Sequence, residues 1–415
     1  MMNSFVEKLI LLFSNVIHLP VYWLSLIVPK DKNLWLFGSW LGKKYGDNSK
    51  YLFEYVKQDH PEITAVWLTT DPQTRIILKA RGFRVCHPYW FTGYWLSMRA
   101  AVGVVSIGIY DLNRYACGGI QLIQLWHGTP LKKILYDDNL MGKQGTFFRK
   151  LFMFFFPYDK LDVYHDRNLI TASSEAGRAI LSSAFGVAPE KIAITGYPRN
   201  DSFFSSPDQK ASLTGYLEDL KRKGITCGIY MPTHRSEGKA GFSQMLFEEL
   251  KKIGSILEKN KMMLFVKMHY YHLAELGTAK LSVPGIHIIR EEEIDQDIYS
   301  VLSQMQFLIT DYSSIFFDYL LTDKPIIFVP FDKETYMKRE RNFYYNYDEI
   351  TPGPKAYNWN DALERILESV THPEKYSEER KRIREMFNKY ADGRNSARVV
   401  EAIAKAIHNP LLIKK

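Results

Sequence analysis

The sequence is poor in cysteine: Cys86, Cys117 and Cys227 stand far apart, and none belongs to a CxxC pair. That argues against a disulfide-stapled secreted scaffold and a thiolate zinc site, and fits a reducing compartment. The nucleotide-binding fingerprints are missing as well. There is no GxxxxGK[ST], and no GxGxxG follows a strand pattern, so P-loop and dinucleotide-binding readings lack their phosphate cradles. Internal repeats and low-complexity tracts are absent. So is an unbroken apolar run of membrane-spanning length. Phe5 to Val28 is interrupted by Glu7, Lys8, Ser14, Asn15 and His18, and Pro20 is expected to kink or end any helix there. No small-residue cleavage site follows before Pro29-Lys30-Asp31-Lys32, which disfavours a signal peptide.

What is present is a globular composition in 415 residues, 24% charged and 46% hydrophobic, long enough for two or three domains of about 150 residues each. Lys and Arg outnumber Asp and Glu by 54 to 46, a net charge of +8, and 14% of residues are aromatic. A basic, aromatic-rich chain points to an anionic partner: nucleic acid, a phosphate-bearing substrate or an anionic membrane. Nucleic acid has only the net charge in its favour, with no recognised module or basic stripe. Phe5–Val28 reads as an interfacial anchor or a helix packed on the domain, with an ordinary buried helix as the alternative. Residues 145–157 set six Phe beside Arg149-Lys150, a composition suited to a membrane interface or, equally, to an amphipathic core helix. His87 to Arg99 is a third, weaker aromatic stretch. Together they predict peripheral membrane attachment.

Short apolar runs alternate with helical patterns such as Lys50 to Gln58. The runs are 33–38, 63–68, 100–107, 120–126, 169–173 and 191–195, then, after the polar Ser205–Gln209, 226–231, 262–268, 285–289, 306–310 and 325–329. This rhythm predicts parallel βαβ units. The fold class is α/β: two doubly wound domains facing a central cleft, after a membrane-associating segment at 1–30. The first domain is placed at 31–210 and the second at 211–415. Ligands of open α/β sheets bind beyond the strand C-termini, so the residues there are the candidates.

His127, in Trp126-His127-Gly128-Thr129-Pro130, can act as a general base near neutral pH, or be a hydrogen-bonded structural histidine. Arg199, in Gly196-Tyr197-Pro198-Arg199, can present its guanidinium to a phosphate. His234-Arg235 and Lys267-Met268-His269 put histidine and a cation at two further strand ends, able to converge on a diphosphate. Zinc binding by His234, His269 and His272 lacks a fixed-spacing motif. Thr310-Asp311-Tyr312-Ser313-Ser314 opens a helix whose free N–H groups and hydroxyls suit an anion, or which Asp311 or Ser313 simply caps. Asp295-Gln296-Asp297 spells a metal-type DxD but begins a helical pattern, so first-turn acids explain it better.

Taken together, WHGTPLKK (126–133), TGYPRND (195–201), YMPTHR (230–235), VKMH (266–269), TDYSSIFFDY (310–319), KPIIFVPFD (324–332) and the segment from Tyr336 through Glu340-Arg341-Asn342-Phe343-Tyr344 to Pro354 resemble the CDP-glycerol glycerophosphotransferase family, the teichoic acid primases and polymerases. Two positions depart from the family pattern: Tyr270 follows His269 where proline is usual, and Asn342 stands for glycine. The resemblance implies a GT-B-like enzyme that transfers glycerol phosphate from CDP-glycerol to an undecaprenyl diphosphate-linked saccharide, releasing CMP, at the cytoplasmic face of the membrane. It implies His127 as the base on the acceptor hydroxyl. His269, Arg235 and Arg341 would stabilise the diphosphate and departing CMP, with Ser313 and Ser314 holding donor phosphate beside His234, Thr310, Asp311 and Arg199. No cofactor is required, and a divalent cation would at most assist. A primase is favoured; a polymerase, a ribitol-phosphate transferase and a nucleotide-sugar glycosyltransferase are the alternatives.

Overall fold

A computed structural model of the protein describes residues 4–138, 169–206, 212–233, 242–267, 283–295, 297–339 and 342–408. The aromatic stretch at 145–157 lies outside them. The chain divides into two compact units: Met1–His127 with Ile134–Asp201 and Arg394–Lys415, and Gly128–Lys133 with Ser202–Gly393.

The first unit carries β1 (Asp31–Phe37), β2 (Thr64–Leu68), β3 (Val85–Cys86), β4 (Ala100–Val105), β5 (Gln121–Gln124), β6 (Leu169–Ala172) and β7 (Ile192–Ile194). They form one parallel sheet in the order β3-β2-β1-β4-β5-β6-β7. Its helices are α1 (Ser4–Ile27), α2 (Asp47–Asp59), α3 (Pro72–Ala80), α4 (Phe91–Arg99) and α5 (Glu175–Phe185). Apolar residues alternate between two cores, as strand geometry requires. Trp35 and Phe37 face Leu52, Phe53 and Val56 of α2, while Leu34 and Leu36 face the core that includes Tyr22 of α1.

The second unit carries β8 (Thr226–Met231), β9 (Met262–Val266), β10 (Ile286–Ile288), β11 (Phe307–Thr310) and β12 (Ile326–Phe328), also parallel, in the order β10-β9-β8-β11-β12. Around it run α6 (Ser212–Arg222), α7 (Phe242–Lys259), the short α8 (Ile315–Tyr319), α9 (Trp359–Thr371) and α10 (Ser377–Phe387). Leu246, Leu250, Ile253 and Leu257 repeat at helical spacing along α7 and bury against β8, β9 and α9.

The sequence reading runs the second domain to residue 415. The last helix, α11 (Asn395–Ala406), instead packs on α2 and β6 of the first unit, because Val399, Val400, Ile403 and Ala404 fill that unit's core. Its N-terminus is capped from the same unit: Asn395 and Ser396 donate their N–H groups to the Asp201 carboxylate at 2.9 and 2.8 Å. Gly196, at φ +75°, lets the chain pass there, since a Cβ would sit 2.0 Å from Asn395 Oδ1.

Helix α1 differs from expectation in two ways. It runs through Pro20 without ending, since packed residues on both sides of the proline hold both halves to the unit. Its amphipathicity is also reversed. Asn15, Tyr22 and Ser25 are buried with His18 partly so, a spacing that marks one helix face, and this face is mostly polar. Asn15 Oδ1 accepts from Arg114 Nη2 at 2.9 Å, Ser14 Oγ lies 3.1 Å from Tyr115 Oη, His18 stacks on Tyr115 at 4.0 Å, and Ser25 Oγ accepts from Gly118 N at 2.8 Å. The outward residues are apolar: Phe13, Val16, Ile17, Trp23, Leu24 and Ile27 are exposed, the last by 78%. Neighbouring α4 continues this surface with exposed Trp90, Phe91 and Trp95. Arg75 and Arg99 lie 5.0 and 6.0 Å from the Trp90 and Trp95 ring centres.

Candidate active site

Strand order fixes where each sheet opens. Neighbouring strands lead their crossovers in opposite directions at β1/β4 in the first unit and at β8/β11 in the second, the positions where doubly wound sheets bind ligands. A buried aspartate bridges each.

In the first unit it is Asp111. Its Oδ1 accepts from Leu41 N at 2.7 Å, and its Oδ2 from Ser106 N and Ile107 N at 2.9 and 2.8 Å, tying the loop after β1 to the loop after β4. Burial pushes the carboxyl up to about 6, against the pull of these N–H groups. Gly38 permits the approach: a Cβ there would lie 2.1 Å from the Asp111 carbonyl oxygen. Thr69 Oγ1 and Thr70 N pin the far side of the loop through the Gly42 carbonyl at 2.7 and 2.8 Å. Between these anchors Trp40 and Leu41 take left-handed φ values of 49° and 59° yet remain exposed, by 42% and 51%. Such a conformation costs a non-glycine residue on the order of 1–3 kcal/mol. The buried Ser39 Oγ beside them has no hydrogen-bond partner among the described residues.

His127 follows β5. Trp126, at φ 57°, sets its ring 4.0 Å from the imidazole on a 33° tilt, and the Trp40 ring lies 6.1 Å away on a 41° tilt. The first turn of α2 positions this strand end. Asn48 Nδ2 donates to the Trp126 carbonyl at 2.8 Å, while Asn48 Oδ1 accepts from Arg199 N at 3.2 Å. Ser49 and Ser106 hydroxyls meet at 2.8 Å, and the buried Lys50 ammonium lies 5.4 and 5.5 Å from the Tyr45 and Tyr51 ring centres. Sequence reasoning missed Asp47 to Lys50. Four consecutive polar residues opening an otherwise apolar-faced helix were the available signal.

Arg199 is buried, and its Nη1 donates to Asp47 Oδ1 at 2.8 Å, so this edge of the guanidinium is engaged inside the unit. A guanidinium removed from water needs a carboxylate, and Asp47 supplies it.

In the second unit the bridge is Asp311. Its Oδ1 accepts from Thr233 N, Thr233 Oγ1 and Tyr312 N at 2.8, 2.6 and 2.6 Å, joining the ends of β8 and β11. Thr310 Oγ1 donates to the Met231 carbonyl at 2.8 Å. Both residues are buried, and these bonds shape the strand end. Ser313 and Ser314 are half-buried ahead of α8; Ser313 Oγ accepts weakly from Ile315 N at 3.4 Å, and Ser314 makes no side-chain cap. Over this end lie aromatic rings: Tyr312 stacks on Tyr336 at 4.1 Å, and Tyr347, whose hydroxyl donates to the Asp311 carbonyl at 2.8 Å, stacks on Phe343 at 5.6 Å. The segment just beyond His127 joins this unit through Lys133 N to Asn342 O at 2.7 Å and Tyr344 N to Leu131 O at 3.1 Å, with Lys132 Nζ 5.2 Å from the Tyr336 ring centre.

His234, Arg235, His269, Tyr270, His272 and Arg341 lie outside the described residues. Asp295 and Asp297 are accounted for locally: Asp295 ends a 3-10 turn in a left-handed conformation, and Asp297 Oδ1 accepts from Tyr299 N at 3.0 Å. Among the described residues no group of three or more His, Cys, Asp or Glu side chains is placed to hold a metal ion.

The same fold occurs in the wall teichoic acid polymerase TagF, which aligns with 98% of this chain and 97% of its own at a TM-score of 0.74 and 23% identity. In sequence, the chain is 28% identical over 389 residues to a teichoic acid glycerol-phosphate transferase of Staphylococcus aureus, covering 90% of this chain and 94% of the relative. It is 25% identical over 403 residues to a teichoic acid poly(glycerol phosphate) polymerase of Bacillus spizizenii, covering 91% and 93%. It spans only half the length of the corresponding Staphylococcus epidermidis and Bacillus subtilis polymerases. A family model matches residues 21–405, taking in both parallel sheets and both aspartate-bridged strand ends, and the chain therefore belongs to the CDP-glycerol:poly(glycerophosphate) glycerophosphotransferase family.

Proposed function

We propose that this family member moves glycerol phosphate from CDP-glycerol to a hydroxyl of a lipid-linked saccharide at the cytoplasmic face of the membrane, as a primase in the synthesis of teichoic acid or a related glycerol-phosphate polymer. The observation that carries the membrane-borne acceptor is the reversed amphipathicity of α1. A helix on a water-facing surface turns its polar side outward; this one turns polar residues inward and presents Phe13, Val16, Ile17, Trp23, Leu24 and Ile27, continued by the rings of α4. An apolar outward face with arginines at its aromatic edge suits an interface of acyl chains and anionic headgroups. No helix among the described residues is long and apolar enough to cross a membrane, and α1 lies along the unit rather than leaving it.

His127 takes the proton of the acceptor hydroxyl. The freed oxygen attacks the glycerol-bearing phosphorus of CDP-glycerol, the new P–O bond forms, the bond to the other phosphate breaks, and CMP leaves with the electron pair. Arg235, His269 and Arg341 neutralise the diphosphate and departing CMP, with His234 beside them. Ser313 and Ser314 hydrogen-bond donor phosphate. Each preorganised donor is worth roughly 3 kcal/mol of transition-state stabilisation. Asp311, Thr310 and the Asp47–Arg199 pair act at one remove, by fixing the loops. No cofactor enters the reaction; assistance by a divalent cation would be read from activity in the presence of a chelator.

Incubation with CDP-glycerol and a lipid-linked disaccharide, followed by mass analysis, tests the reading. One added glycerol phosphate with stoichiometric CMP is expected. A ladder of additions would make the chain a polymerase, as the Bacillus spizizenii relative that it matches over 91% of its length is named. Turnover only with CDP-ribitol, or with a UDP-sugar, would overturn the donor assignment. Binding to anionic vesicles, lost in Ile17→Asp/Trp23→Asp, is expected of the α1 face.

A further inference from the structure

We propose that Trp40 is the residue on which the acceptor saccharide stacks, and that this ring selects a sugar-bearing acceptor over a glycerol-phosphate chain. The proposal rests on the transfer reading above for the reaction that this acceptor enters.

Three observations converge on Trp40. The first is position: it follows β1 at the β1/β4 switch point of the first sheet, the place where such sheets open to ligands, and its ring lies 6.1 Å from that of His127. The second is that the fold departs from local rules here. Trp40 and Leu41 are consecutive left-handed residues, Ser39 Oγ is buried without a partner among the described residues, and the side chains this turn displays are exposed and apolar. Departures of this kind concentrate where function needs a fixed, unusual geometry. The third is rigidity. Asp111 holds Leu41 N, and Thr69 and Thr70 both hold the Gly42 carbonyl, so the backbone turn that carries the ring is fixed.

The chemistry selects the ligand. One face of a pyranose presents C–H groups, which complement the electron-rich face of an indole and release water when they meet it. A linear glycerol-phosphate chain offers no such face. Tyr110, exposed beside the turn in the Ile109–Asp111 segment, is hydrogen-bonded by Arg114 Nη1 at 2.8 Å, and Arg114 Nη2 reaches Asn15 of α1. Asp111, next to Tyr110, in turn holds Leu41 N, next to Trp40, so the turn that carries Trp40 and the proposed membrane helix are tied to the same Ile109–Arg114 segment.

The test compares two acceptors on the full chain: a lipid-linked disaccharide, and the same lipid extended by several glycerol phosphates. Trp40→Ala is expected to lower kcat/KM about tenfold more for the first than for the second, mainly through acceptor KM, with Trp40→Phe restoring most of the loss, the scale of one aromatic contact. Equal losses on both acceptors, or a fall in kcat alone with the pH profile moved, would mean that Trp40 only orients His127, and would overturn the assignment. Calorimetric titration with N,N′-diacetylchitobiose, a soluble pyranose disaccharide, reads the contact without turnover. Binding that is lost in Trp40→Ala supports the proposal even if the wild-type chain transfers nothing, in which case the transfer reading falls alone. No binding to the wild-type chain, together with no selectivity between the acceptors, overturns the proposal.

Discussion

The two switch points are built on one plan and finished in opposite ways. Each has a buried aspartate that gathers N–H groups from the two loops beyond the central strands: Asp111 from Leu41, Ser106 and Ile107, and Asp311 from Thr233 and Tyr312. Above Asp311 the aromatic rings close inward, and Tyr312, Tyr336 and Tyr347 are buried. Above Asp111 the rings turn outward, with Trp40 and Tyr110 exposed and His127 half-exposed between Trp40 and Trp126. The same clamp therefore supports a ring-covered strand end in one unit and leaves Trp40, Tyr110 and His127 accessible in the other. The proposed function assigns acceptor chemistry to the first unit and donor binding to the second.

The largest expected effect breaks or confirms that division directly. His127→Ala should lower turnover by roughly 10²- to 10⁴-fold while CDP-glycerol binding, followed by calorimetry, is retained. Ser313→Ala/Ser314→Ala should instead raise donor KM, by about tenfold for the loss of a charge-assisted hydrogen bond. The reverse pattern would exchange the roles of the two units. Next comes the scaffold of the first strand end. Arg199→Met leaves Asp47 buried without its cation and should cost about 3–5 kcal/mol in chemical denaturation, whereas Asp47→Leu/Arg199→Met should recover much of it. If Arg199→Met folded normally and lost only donor affinity, the guanidinium would be a phosphate ligand after all.

The Asp111 clamp gives a pH signature. Its folded-state carboxyl titrates near 6, above the ordinary 3.8, so between about pH 4 and 6 the unfolded chain releases a proton that the folded chain keeps. Stability should therefore fall as pH rises through that window, by up to about 3 kcal/mol. Asp111→Asn should flatten this slope in urea titrations at pH 4, 5 and 6. A slope that persists in Asp111→Asn would locate the titrating group elsewhere. The smallest effect tests the other clamp: Tyr347→Phe removes one hydrogen bond to the Asp311 carbonyl and should cost about 1 kcal/mol, with little effect on KM for the acceptor.

Much of this molecule was legible before its structure. Every apolar run read as a strand forms one, within a few residues at each end, because burial on both faces of a parallel sheet demands short, β-branched or aromatic runs closed by turns. Strand β3 was not found, since Val85–Cys86 is too short to establish a period. The candidate site was legible as positions rather than as roles. His127, Ser313 and Ser314 stand at strand ends as expected, yet Arg199 points into the unit and Trp40, unremarked in the sequence, points out.

The sequence by itself determined the element order, the α/β class and the family, since these depend on local periodicity, turn chemistry and motifs read in series. Only the tertiary structure decided which face of α1 is buried, because its apolar residues look like core until Arg114, Tyr115 and Gly118 are seen to claim the polar ones. The same holds for Arg199, whose partner lies 152 residues away, and for Trp40, whose exposure is set by Asp111 gripping the next residue's N–H across 70 positions. The physical reason is common to all three. A polar group leaves water only where a partner has been brought to it, and that partner is supplied by the packing of distant elements rather than by its neighbours in the chain.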